Sequence, residues 1–408
     1  MSEPIDFRSP DFLRGHILHT MSFYEGRSMD ASGGFFHFFK DDGEVYDRQT
    51  RHLVSSTRFI FNYAMAARRF GNVQWRAAAR HGLRFLRDVH RDPATGGYAW
   101  LLRWNSGRKE VLDASNHCYG LAFVLLAHAH AAMAGITEAR AGISETFNLM
   151  EDHFWEPAQA LYADEADAGW NVSPYRGQNA NMHACEALLA AFDATLDRRY
   201  LDRAEALADS VTRRLAAHAH GLIWEHYKLD PRGDWVPDWD YNRHDKSNIF
   251  RPWGYQPGHL TEWAKLLLIL ERSRASHWLL PRARELFSAA TDHAWDHKHE
   301  GLFYGFAGDE KHRGRFVVCD SDKYFWVQAE SLAAAALLAQ RTQEGGYWDW
   351  YDRLWEYSWQ HFVDHRHGAW YRVLTHDNRK YSDEKSPAGK TDYHTMGACY
   401  EVLEALAM

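Results

Sequence analysis

Cysteine is scarce. The 408-residue chain has four, Cys118, Cys185, Cys319 and Cys399, with no CxxC pair. That spacing excludes a disulfide framework and a Cys-based zinc site, and it leads us to expect reduced thiols in a cytoplasmic protein. Long apolar runs are missing too. The longest, Leu332–Ala339 and Leu266–Leu270, fall far short of the roughly 20 residues that span a bilayer. Met1–Phe12 carries Glu3, Asp6 and Asp11 and has no apolar stretch, unlike a signal peptide. There is no basic excess: 47 Lys and Arg stand against 55 Asp and Glu, a net charge of -8. Neither nucleic acid nor an anionic membrane is therefore expected as a partner. GxGxxG, Walker A and GxSxG motifs are absent, which removes support for dinucleotide, phosphate-loop and Ser-hydrolase chemistry. No Pro/Ser-rich linker interrupts the chain, so residues 1–408 read as one domain.

Aromatic residues and histidine are abundant: 18 Trp, 20 Tyr, 22 Phe and 26 His. Many must form core. Aromatic rings also stack on the C–H faces of sugars, and imidazole titrates near neutral pH. The combination suits a polar, ring-shaped substrate better than a nucleotide.

A turn signature recurs six times. It begins at Gly33-Gly34-Phe35 and Gly96-Gly97-Tyr98, then at Ala160-Leu161-Tyr162 and Gly221-Leu222-Ile223. The last two copies are Gly301-Leu302-Phe303 and Gly368-Ala369-Trp370. Each reads as a turn leading into a short strand. A helical apolar period follows each copy, predicting helices over Gln49–Phe70, Ser115–Met133, Gln178–Leu196, Pro257–Arg272, Lys323–Gln340 and Thr391–Ala407. Second helices are predicted over Gln74–Val89, Glu138–Phe154, Arg199–Ala216, Pro281–Trp295 and Tyr347–Phe362, with Pro10–Tyr24 left to partner the last unit. Twelve helices whose final pair borrows its partner from the N-terminus close into a ring. The expected fold is all-α, an (α/α)6 barrel with short β-hairpins in its loops.

Polar residues recur at similar offsets from these turns, near the starts of the inner helices: Arg58, Tyr119, His183 and His394, with His259 delayed by an insertion, Tyr227–Phe250. In a closed barrel such positions converge on one end of the cavity. Asn179, His183 and Glu186 share a helical face. His259 and Glu262 are i, i+3, a spacing at which the carboxylate can orient the imidazole or raise its pKa. HxxE also suits a metal, yet no third ligand at comparable spacing accompanies it, so no metal and no cofactor are expected. Trp326 and Glu330, at i, i+4, offer a stacking face beside a polar anchor. His128 and His130 point different ways, and His218 and His220 end a helix. The acidic loop Trp235–Asp245 reads as a solvated loop or lid, although Asp238, Asp240 and Asp245 raise the alternative of a glycosidase-like carboxylate pair.

Six segments resemble the N-acylglucosamine 2-epimerase superfamily: Ser55–Phe59, Cys118–Phe123, Asn179–Ala187, Pro257–Trp263, Phe325–Glu330 and Lys390–His394. The resemblance covers essentially the whole chain. It implies an (α/α)6 barrel that interconverts monosaccharides without metal or redox cofactor. Lys390–Ala398 is most similar to the aldose–ketose isomerase branch, that of the mannose isomerases, because Asp392 stands where epimerases more often have Pro. The implied reaction is mannose to fructose through a cis-enediolate. A 2-epimerase is the alternative, followed by a glycoside hydrolase or a non-catalytic sugar-binding protein. By the same resemblance His394 moves the proton and His259, helped by Glu262, is the second acid/base. Arg58 stabilises the oxyanion, and His183, Asn179, Tyr119, Trp326 and Glu186 bind the sugar.

Overall fold

The computed structural model describes residues 5–245, 248, 250–309, 311–312 and 314–407. Residues 1–4 of the N-terminal segment and 246, 247 and 249 of the insertion lie outside that set. The described residues include twelve α-helices. The first six are α1 (Pro10–Tyr24), α2 (Leu53–Phe70), α3 (Val73–Phe85), α4 (Cys118–Met133), α5 (Ala139–His153) and α6 (Gln178–Thr195). The rest are α7 (Arg198–Asp209), α8 (Pro257–Ser273), α9 (Leu279–Ala294), α10 (Phe325–Thr342), α11 (Gly345–His361) and α12 (Tyr393–Ala405).

The even-numbered helices pack in a ring: α2 on α4, α4 on α6, α6 on α8, α8 on α10, α10 on α12, and α12 back on α2. The odd-numbered helices lie outside, α3 on α2 and so on to α11 on α10, with N-terminal α1 on α12. This is the (α/α)6 barrel, closed as expected by the N-terminal helix. Sequence dictates which helix goes where. Inner helices such as α10 bury residues all round, from Val327 to Ala339, as a core helix must. Outer α7 buries only Tyr200, Leu201, Ala204, Leu207 and Ala208 and turns its charged residues outward. Ser9, Asn72 and Asp197 cap α1, α3 and α7 by accepting from backbone N–H groups of the first turn. Among the described residues no helix is long and apolar enough to cross a membrane.

Most inner helices begin a few residues later than the apolar period predicts. Residues 50–52 pair with 101–103, and residues 323–324 with 373–374, as short antiparallel strands. The neighbouring hairpin has taken the backbone groups that would open the helix. α3 and α7 each end in a single π-helical stretch, Leu86–His90 and Ser210–Leu215, rather than continuing as α-helix. The turn signature has a conformational cause. Its first residue is left-handed, at φ 76° for Gly96 and 77° for Gly301, and Ala160 takes the strained version at 48°.

Candidate active site

The hairpin end of the barrel holds a cavity of about 680 Å³, counting its open mouth. It is lined by Arg58, Tyr119, Asn179, His183, His259, Glu262, Trp326 and His394, and further by Phe250, Pro252, Tyr304, Tyr324, Phe325, Arg372 and Ala388–Lys390. The structure thus brings together every sequence-predicted site residue except Glu186 and Glu330, which stand behind the wall. The insertion delivers Phe250 and Pro252 to the mouth. None of Asp238, Asp240 and Asp245 lines the cavity, and Glu262 is the one carboxylate among its described lining residues. A hydrolytic carboxylate pair therefore has no counterpart here.

Three imidazoles are held the same way. His183, His259 and His394 each commit Nδ1 to a glutamate, at 3.0 Å to Glu186, 2.9 Å to Glu225 and 2.6 Å to Glu330. That fixes each ring and leaves Nε2 for chemistry. Burial, then the charge of Arg58, the neighbouring His183 ring and the charge of Lys265, hold His394 well below the usual imidazole range. Burial likewise takes His183 down to about 4 against the pull of Glu186. Both rings are neutral at neutral pH.

The expected pairing of His259 with Glu262 is corrected. The i, i+3 spacing puts both on one helix face, but the partner of His259 is Glu225, from the turn that precedes the insertion. The Gln178 amide donates to the other Glu225 oxygen at 3.0 Å, and Trp263 Nε1 donates to Gln178 at 2.8 Å. Both Glu262 oxygens are buried without a hydrogen-bond partner. Burial, with Glu330 and Glu186 nearby, raises its pKa well above the carboxylate range. Glu262 therefore enters the cavity with its protonated form favoured, and it is not the counterion of His259.

Glu330, from the Trp326–Glu330 pair, also has a function beyond a polar anchor. One oxygen holds His394 and the other accepts from Lys265 Nζ at 2.5 Å. Glu186 accepts from both His183 and Tyr393, so it organises the wall without touching the cavity. Arg58 donates to the Gly389 carbonyl at 2.5 Å and to the Tyr119 oxygen at 3.1 Å, and it stacks over Phe123 and Tyr393. Burial raises the Tyr119 pKa, so its hydroxyl remains a donor. Trp326 stands beside two of these imidazoles, its ring 5.0 Å from that of His259 and 5.7 Å from that of His394. Lys390, which sequence reasoning left out of the site, lines the cavity with its pKa pushed down to about 8 by burial against the pull of Asp392.

Two groups, His183, Glu186 and Glu262, and Glu262, Glu330 and His394, bring donor atoms within 4.8 Å of one another. Lys265 Nζ already lies 3.9 Å from Glu262 and 2.5 Å from Glu330. The chain thus supplies its own cation there, and no metal ligands are assigned.

Asp392 is buried at φ 54° and accepts from Tyr24, Lys390, Trp370 and Thr395. Proline, fixed near −65°, cannot take that conformation. The backbone entering His394 therefore differs from one with Pro at this position.

A D-mannose isomerase from Marinomonas mediterranea is 53% identical over 410 residues, covering 100% of both chains. The crystal structure of a D-mannose isomerase superposes with a TM-score of 0.93 at 53% identity, over 98% of this chain and 100% of that one. Cellobiose 2-epimerase from Spirochaeta thermophila shares the fold at TM-score 0.82 and 22% identity, over 98% of this chain and 96% of that one. Residues 34–398 match the N-acylglucosamine 2-epimerase (GlcNAc 2-epimerase) family, and with that match and a full-length relative at 53% identity, the chain belongs to this family.

Proposed function

We propose that the protein is an aldose–ketose isomerase that interconverts D-mannose and D-fructose by imidazole acid/base catalysis. The observation that carries this is that the Trp326 ring stands beside both His259 and His394 in one cavity, each imidazole tied to its own carboxylate. The full-length similarity to a D-mannose isomerase supports the choice of sugar and of reaction.

In this reading Trp326 packs against the apolar face of the sugar, and His259 assists ring opening. In the open-chain aldose, His394 Nε2 takes the proton from C2. The electron pair moves into the C1–C2 bond and the carbonyl oxygen becomes an enediolate oxygen. Arg58 and Tyr119, with Asn179 and His183, donate to the oxygens where negative charge develops. His394 then returns a proton to C1 on the same face while the proton of the C2 hydroxyl passes to the enediolate oxygen on C1, giving the neutral ketose. One base on one face suffices for isomerisation, whereas epimerisation needs a second base on the opposite face of C2. The distinct entry into α12 at Asp392 favours the first.

Chromatographic product analysis tests this. Mannose should give fructose first, with glucose absent or late. In D₂O, a single shielded base should leave C1 of fructose incompletely labelled. Glucose accumulating as fast as fructose, with solvent deuterium at C2, would establish a 2-epimerase instead.

A further inference from the structure

We infer that Lys265 is a positioning residue: its ammonium is the fixed cation of the barrel's buried carboxylates, and through Glu330 it keeps His394 uncharged with Nε2 as the proton acceptor. This rests on the reading of His394 as the base.

Lys265 lies one turn beyond Glu262 on α8 and is 6% exposed. Its Nζ bonds Glu330 Oε2 at 2.5 Å, while Glu330 Oε1 holds His394 Nδ1 at 2.6 Å. One carboxylate is thus shared between an ammonium and an imidazole. The titratable and charged groups around this pair come from every inner helix. They are Arg58 on α2, Tyr119 on α4, His183 and Glu186 on α6, and Glu262 and Lys265 on α8. Tyr393 and Glu401 on α12, Lys390 just before it, His130 on α4 and Asp193 on α6 also belong to this shell. Arg58 gives its hydrogen bonds to Gly389 and Tyr119, and Lys390 gives its own to Trp370 and Asp392. Among the described residues, Lys265 is the one side-chain cation hydrogen-bonded to Glu330.

Protons on Glu330 and His394 belong to the pair rather than to either residue. With Lys265 charged, Glu330 is balanced as a carboxylate. It accepts Nδ1–H, and Nε2 keeps its lone pair. Without the ammonium, a buried carboxylate has only the imidazole to balance it, and the pair binds another proton at higher pH. That proton rests on the ring, or on Glu330 with the ring switched to the Nε2–H tautomer. In both forms Nε2 carries hydrogen and is no longer a base. Lys265 therefore governs the pH at which the base becomes available, without touching substrate.

The experiment is the pH profile of kcat/KM for mannose in wild type, Lys265→Met and Lys265→Arg. The acid limb of Lys265→Met should move up by about one pH unit or more, with kcat recovering at high pH and KM little changed. Lys265→Arg should keep the wild-type limb. In the wild-type protein, imidazole ¹⁵N NMR, with His394 assigned through His394→Gln, should show Nδ1–H and a bare Nε2 at pH 7. A Lys265→Met limb that superimposes on wild type would overturn the inference, as would equal losses at every pH in both variants. An Nε2–H tautomer in wild type would overturn it without any variant, which covers a Lys265→Met that does not fold. Wild-type protein that does not isomerise mannose overturns the preceding reading, and the NMR result then decides this one separately.

Discussion

His183, His259 and His394 sit near the starts of inner helices in three repeats, and each is oriented by a glutamate; Glu186 shares the helix face of His183, but the other two glutamates are ones that the sequence does not advertise. Glu225 lies 34 residues before His259, outside any helical period, and Glu330 lies 64 residues before His394. Spacing within one helix tells which residues share a face. It does not tell which neighbouring element inserts a better-placed carboxylate, which is why Glu262 read as the partner of His259. The imidazoles were legible because the repeat offsets place them, and Glu186 because it shares one helix with His183; Glu225 and Glu330 were not legible as partners, because those two pairs are made between elements. The site assignment predicts that His394→Ala and His259→Ala each lower kcat by on the order of 10²–10⁴-fold. Arg58→Ala should be comparably severe, since it removes a fixed charge from the developing oxyanion. Glu225→Gln keeps the shape but loses the charge that orients His259. It should cost on the order of 10–10²-fold in kcat, the range for carboxylates that orient a histidine from behind. Steady-state kinetics on mannose reads all four, and near-wild-type turnover in His394→Ala would remove it from the proton-transfer step.

At the scale of elements, a clamp recurs where each hairpin meets its inner helix. Asn181 accepts from the Tyr162 N–H at 2.8 Å and donates to the Tyr162 carbonyl at 3.0 Å. Gln328 does the same to Leu302, at 3.0 and 2.8 Å. Asn116 accepts from Tyr98, and Asp392 from Trp370. Each of these four clamps seats a turn against the helix that follows it, and so fixes the height at which Tyr119, His183, Trp326 or His394 meets the cavity. The turns themselves were legible, since a left-handed position calls for Gly. The helices were legible from their apolar period. Their true starts were not, because hairpin pairing between distant segments claims the first backbone groups. Asn181→Ala strands a buried N–H and a buried C=O, at about 1–3 kcal/mol for each group left unpaired. The melting temperature should fall clearly, and by more than for Asn179→Ala, whose Oδ1 has no partner to lose. Equal melting temperatures in the two variants would show that the clamp contributes nothing to stability.

The whole molecule closes its ring by pairing its ends. α1 packs on α12, and Phe38–Lys40 pairs with Glu384–Ser386. Closure buries the inner helices together with an unusual load of histidine, and this sets the response to acid. Burial lowers His16 and His52 to about 3, and His90, His128, His130 and His226 to about 4. In the unfolded chain these groups titrate near 6.5. Between those values the unfolded state binds more protons, so stability rises with pH across the window. It is fully present above pH 6.5 and is lost as pH falls toward 4. Five carboxyls act in the opposite sense. Burial raises Asp164 to about 7, and Asp193, Glu262, Glu330 and Glu401 are also raised, so the stability each contributes is present at low pH and lost as pH rises. The histidines outnumber them, and the net slope has their sign. Melting temperature measured against pH should therefore be nearly flat above pH 7 and fall steeply between pH 6.5 and 4. Unfolding there should take up several protons per molecule. A melting temperature unchanged from pH 7 to 4.5 would mean that the buried imidazoles are already charged in the fold, and the neutral His394 on which the proton transfer depends would fall with it.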